Sequence, residues 1–132
     1  MDLGIAGKVA FVSGGSMGMG RATAELFGRE GCRVVVAALE RDQESIDDTV
    51  KAIVGAGGEA VGVSGDLTVK ANVERAVGTA REAFGVTPDI VVANVDGPGV
   101  GYFDDVPDEA FDQAHRQMTM SMVTSAGPSS PT

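Results

Sequence analysis

Three glycines in the run Ser13-Gly14-Gly15-Ser16-Met17-Gly18-Met19-Gly20 have the spacing needed to hold an anion. A glycine-rich turn presents successive backbone N–H groups, and a helix that begins inside it adds unpaired amides and the positive end of its dipole. The chemistry on offer is the cradling of phosphates, here those of a dinucleotide. Gly14 lets the chain leave a strand in a conformation that a side chain would obstruct. Gly18 lets the backbone and the helix start approach a pyrophosphate, and Gly20 lets the helix pack close to the sheet. Ser16, Met17 and Met19 complete the candidate binding segment. A tight strand-to-helix turn with no ligand would use the same glycines, so the surrounding elements must decide.

Those elements are the ones required. Residues 8–13 form a short, apolar, β-branched run ending at the glycines, which predicts a buried strand. Residues 18–30 predict a helix with Ala22, Leu26 and Phe27 on one face and Gly31 as its stop. A second strand is expected over Arg33–Ala38. A helix then follows over residues 45–55, where Ile46, Val50, Ile53 and Val54 recur at helical spacing. Gly57-Gly58 breaks the chain before a third strand at residues 60–64. A helix over residues 69–84 carries Val73, Ala76, Val77, Ala80 and Phe84. Pro88 precedes a fourth strand at residues 89–95. After a Gly/Pro loop, Pro107-Asp108-Glu109 opens a helix over residues 108–124. Residues 125–132 lack an apolar pattern and read as a disordered tail, leaving one domain over residues 1–124. Four β–α units with strands apolar on both faces mean an α/β fold, a parallel sheet wound doubly with helices on both sides.

Composition narrows the partners. The 132 residues carry a net charge of -9, and their ten Lys and Arg residues form no run, which argues against nucleic acid. No apolar run approaches the ~20 residues needed to span a bilayer, and the N-terminus has no signal-peptide pattern, so a cytoplasmic protein without a membrane partner is expected. Cys32 is the one cysteine and reads as an inert buried thiol. No Cys, His or acidic cluster has metal-ligand spacing. His115 and the one tyrosine, Tyr102, read as surface, loop or packing residues.

The spacing G-x-x-x-G-x-G, with Ser13 before it, resembles the T-G-x-x-x-G-x-G of the short-chain dehydrogenase/reductase family. Asp66-Leu67 is similar to the family's Asp-Leu or Asp-Val pair, and the run ending at Asn94 is similar to the strand that leads into its Asn-Asn-Ala-Gly. Phe103-Asp104-Asp105 resembles the segment that follows, and the likeness covers residues 5–124. The resemblance implies a Rossmann-type sheet, incomplete at four β–α units against the family's seven strands. It also implies NAD or NADP as cofactor and hydride transfer between nicotinamide and an alcohol or carbonyl. Asp66 would hold the adenine amino group, the Leu67 amide would support the ring, and Asn94 would stand at the central strand end. Asp66 as a turn cap and Asn94 as a partner for backbone groups remain open beside these roles.

Four positions depart from the family pattern. The sequence contains no Tyr-x-x-x-Lys, since Val106 stands four residues after Tyr102. Met118 occupies the place of a family Asn, and with Met122 it reads equally as a subunit contact or as core. Asp96 stands where the family has a glycine. At the end of the second strand, Ala38-Leu39-Glu40-Arg41 selects neither NAD nor NADP, and Met17 stands where NADP-preferring members often carry Arg. The expectation is the cofactor-binding half of a family member, truncated and without turnover alone, open to a homo-oligomer or a second chain at its fourth-strand edge. The alternatives are a non-catalytic nucleotide-binding or regulatory module that pairs with a full-length relative, and a self-associating truncated product.

Overall fold

The computed structural model describes residues 1–94 and 103–120. The run after Lys8 folds as strand β1 (Val9–Ser13), buried along its whole length. Successive side chains of a strand point to opposite faces. Val9 and Phe11 therefore enter one apolar cluster, and Ala10 and Val12 enter another. Strand β2 (Arg33–Ala38) divides in the same way, with Val35 and Ala37 on one side and Val34, Val36 and Ala38 on the other. Such strands have no solvent face and need helices on both sides.

Helix α1 (Gly18–Arg29) and helix α2 (Gln43–Gly55) cover one face, to which Ala24, Ile46 and Ile53 contribute. Helix α3 (Lys70–Phe84) covers the other with Val73, Ala76 and Ala80. With strands β3 (Glu59–Ser64) and β4 (Ile90–Val92), the sheet is parallel in the order β3-β2-β1-β4. The chain steps outward from β1 to β3, and α3 then returns it to the far side of β1. Strand order reverses between β1 and β4, and a crevice opens beyond the carboxyl ends of the strands at such a point. The register sets those ends level, with Ser13 beside Ala37, Ala38 beside Ser64 and Val12 beside Val92.

The opposite edge is tied down by side chains. The Arg33 guanidinium donates to the carbonyls of Phe84 and Gly7, both at 2.9 Å, and lies over the Phe84 ring. The Asp89 carboxylate accepts the Val9 N–H at 2.9 Å. Gly85 ends α3 in the left-handed region at φ +79°, which satisfies the Arg81 carbonyl.

Several predicted details differ. On α1 the inward residues are Gly20, Ala24 and the partly buried Phe27, while Ala22 and Leu26 face out. Close approach selects small residues here: a Cβ on Gly28 would stand 2.7 Å from the Ile53 side chain. The two helices meet where they are narrowest, so the larger apolar side chains do not mark the contact face. Helix α2 starts two residues earlier than expected, and β4 is three residues long, with Ala93 and Asn94 outside it. The last predicted helix divides into α4 (Asp108–His115) and a wider π turn, Arg116–Met120. Helix α4 buries none of its residues, so no packed face imposes one regular pitch on the segment. Its predicted end at residue 124 and the predicted tail lie outside the described residues. Among the described residues no helix is long and apolar enough to cross a membrane.

Candidate functional site

At the carboxyl end of β1 the Ser13 hydroxyl joins two strands that are 81 residues apart in sequence. It accepts the Asn94 N–H at 2.9 Å, and its own proton is shared between the carbonyls of Asn94 at 2.9 Å and Val92 at 3.1 Å. Asn94 is thereby fixed over the glycine turn. Its amide Nδ2 also donates a long bond of 3.4 Å to the Gly14 carbonyl. Gly14 sits at φ +61°, and a Cβ there would lie 2.7 Å from the Asn94 carbonyl oxygen. A Cβ on Gly20 would collide with the Gly14 carbonyl. The turn, the first turn of α1 and the end of β4 therefore share one space that excludes side chains.

Beyond this knot the backbone opens outward. Gly18 has φ +56°, and nothing lies within 4 Å of the position of its absent Cβ. Met17, the N-cap of α1, is extended and makes no side-chain cap hydrogen bond. The N–H groups that begin α1 are thus presented without a capping side chain, the arrangement that favours an anion. The turn is held from behind. Thr49 of α2, wholly buried, shares its hydroxyl proton between Ser45 at 2.9 Å and the Ser16 carbonyl at 3.2 Å. The Gly15 N–H meets the Ala37 carbonyl of β2.

The other wall forms where β3 ends. Asp66 is exposed, and its Oδ1 accepts the Thr68 N–H at 2.9 Å and the Thr68 hydroxyl at 2.7 Å. Asn72 donates to the Asp66 carbonyl at 2.9 Å. One Asp66 oxygen thus caps the turn, and the residue also lines the cleft. Leu67 anchors the segment by burying its side chain with Val73 and Ala76.

Together these ends enclose an open cleft of about 770 Å³. Of the predicted binding residues, Gly14, Ser16, Met17, Asp66, Leu67 and Asn94 line it. Gly20 lies buried behind it, and Gly18 and Met19 are exposed on the helix start outside its lining. Leu39 and Arg41 border the cleft where β2 ends, and Glu109, Asp112 and Arg116 of the α4 segment form the far side. Ser13, Thr49 and Thr68 hold the site together, and the sequence reading gave none of them that task. The one available signal was the set of small hydroxyl residues at element ends, which does not name partners.

Away from the cleft, Cys32 is buried and its thiol lies 3.4 Å from the Ile5 carbonyl. Burial, reinforced by the charges of Glu30 and Asp89, pushes that thiol above its ordinary range, so it stays protonated. His115 is exposed on α4. Among the described residues no group of three His, Cys, Asp or Glu side chains could hold a metal. Met118 is 44% exposed, while Asp96, Tyr102 and Met122 lie outside the described residues.

The sequence matches the family described as short chain dehydrogenase over residues 8–127. It is 36% identical over 107 residues to a short chain dehydrogenase of Claviceps purpurea, covering 81% of this chain and 40% of that protein. Its fold superposes on L-sorbose reductase from Gluconobacter frateurii, solved with NADPH and L-sorbose, with a TM-score of 0.84 at 29% identity, covering 96% of this chain and 47% of that one. It also superposes on a short chain dehydrogenase/reductase from Burkholderia phymatum in complex with NAD, with a TM-score of 0.84 at 26% identity, covering 92% and 42%. The chain spans about a quarter to two-fifths of the length of the curated relatives it matches.

Proposed function

The chain belongs to the short chain dehydrogenase family, and from that membership we propose that its cleft binds NAD or NADP as the cofactor half of an oxidoreductase. The observation that carries this reading is the packed knot of Gly14, Gly20 and Asn94 beside an uncapped helix start. The knot excludes side chains, while nothing lies within 4 Å of the absent Cβ of Gly18 at the helix start. In this reading the first N–H groups of α1, at Gly18, Met19 and Gly20, meet the phosphates, with Ser16 and Met17 beside them. Asp66 holds the adenine amino group with the carboxylate oxygen that Thr68 leaves, and the Leu67 N–H supports the ring. Asn94 closes the side toward β4.

A bound nicotinamide supplies or accepts a hydride, with an alcohol or carbonyl as the other partner. The chain's own residues bind and orient the cofactor. They include no Tyr-x-x-x-Lys to donate and relay the proton. These 132 residues are therefore expected to bind without turning over. Similar folds are solved with NADPH and with NAD, and Leu39 and Arg41 after β2, with Met17 at the start of α1, leave both open here. Calorimetric titration with NAD, NADP and ADP tests the reading, with binding of at least one expected. Silence toward all three at millimolar ligand refutes it, and dehydrogenase turnover by the pure chain refutes the non-catalytic part. The β4 edge carries the second part of the proposal, association with a copy of this chain or a relative. Sedimentation showing a monomer at high concentration would count against it.

A further inference from the structure

We propose that the Met17 thioether is an oxidation site, and that its sulfoxide closes the cleft to the dinucleotide; the proposal rests on the cofactor reading above. Met17 occupies the N-cap of α1 with extended backbone, φ -147° and ψ 162°. Caps are usually held by short side chains bearing an oxygen. Here the position carries a weakly accepting sulfur, and no cap hydrogen bond ties the side chain down. The side chain is 48% exposed and lines the cleft beside Leu39 and Arg41. Gly18 follows, with nothing within 4 Å of the position of its absent Cβ.

An exposed thioether is open to a peroxide. The sulfur lone pair attacks one peroxide oxygen, the O–O bond breaks and an S–O bond forms. The second oxygen leaves as water, taking the proton that the transferred oxygen carried. Sulfur gives up two electrons and the peroxide accepts them. The product places a polar, accepting oxygen in the cleft beside the N–H groups that the cofactor phosphates require. It competes for those donors and sets the negative end of its dipole against the incoming phosphate. The step is reversible, because methionine sulfoxide reductases restore the thioether.

The turn contains its own control. Met19 is 83% exposed, more than Met17, yet it is not part of the cleft wall. Both should oxidise, and only one should matter. The experiment treats the full chain with dilute hydrogen peroxide, maps each sulfoxide by peptide mass spectrometry, and titrates with NADP and NAD before and after. Affinity is expected to fall about tenfold or more, the loss of one hydrogen bond to a charged group, in proportion to sulfoxide at position 17. Treatment with methionine sulfoxide reductase should restore it. Met17→Leu, whatever its starting affinity, should show the same value before and after peroxide. Saturating NADP should slow oxidation at Met17.

Complete Met17 oxidation with unchanged affinity overturns the proposal alone. So does an equal loss in Met17→Leu. An untreated chain that binds neither dinucleotide overturns this proposal and the cofactor reading together.

Discussion

Replacing Ser13 with alanine removes one oxygen atom from the point where β1, β4 and the glycine turn meet. The Ser13 residue is 2% exposed. Its hydroxyl accepts the Asn94 N–H at 2.9 Å and donates toward the Asn94 and Val92 carbonyls at 2.9 and 3.1 Å. Alanine leaves the Asn94 N–H without its partner and deletes the donor as well. An unpaired buried polar group costs about 1–3 kcal/mol, and a typical hydrogen bond contributes about 1 kcal/mol net. Asn94 is only partly buried, so water recovers some of this, and the expected loss is about 2 kcal/mol. For a domain of this size that lowers Tm by roughly 6–10 °C. Urea unfolding followed by circular dichroism measures it, with a lower midpoint and an unchanged slope. Ser13→Thr keeps the hydroxyl and should recover most of the loss. A Ser13→Ala midpoint equivalent to less than about 0.5 kcal/mol, within the ordinary range of surface substitutions, would refute the reasoning. It would mean that backbone pairing of β1 with β4 holds Asn94 unaided.

Three further outcomes follow from the same geometry. Thr49→Val keeps the volume and loses the wholly buried hydroxyl that serves Ser45 and Ser16; thermal unfolding should show a loss of about 1–2 kcal/mol. Gly14→Ala forces a side chain into φ +61°, a strain of about 1–2 kcal/mol before any contact is counted. Its Cβ also meets the Asn94 carbonyl, so calorimetry should find dinucleotide binding abolished, and retained affinity would contradict the packed-knot account. The Cys32 thiol has a folded pKa raised above 9.0 by burial first and then by Glu30 and Asp89. Its contribution to stability is therefore present below the unfolded value and is lost as pH rises through the folded one. Urea midpoints from about pH 8 to about pH 10 should fall, and Cys32→Ala should flatten the slope.

How much of this could be read from residues alone depends on how local each signal is. The runs ending at Ser13 and Ala38 are β-branched and apolar on both faces, and that pattern already demands a parallel sheet covered on two sides. The glycine spacing is equally local, because a positive φ or a missing Cβ is a property of the residue itself. Gly31 as a helix stop belongs to the same class.

The face of α1 was not legible, because close approach at Gly20, Ala24 and Gly28 selects for smallness, while an apolar stripe highlights Ala22 and Leu26. Nor could the sequence name Thr49 as the partner of Ser16 or Asp66 as the partner of Thr68, since a hydroxyl's chemistry is generic and its neighbours are set by packing. By itself the sequence determined the layered α/β fold and the glycine turn between β1 and α1, because periodicity and glycine geometry act over a few residues. Tertiary structure alone decided that Ser13 meets Asn94, 81 residues away, and that α4 walls the cleft. A hydrogen bond or a cleft wall exists only once the strand order has brought distant segments within about 3 Å or so of one another.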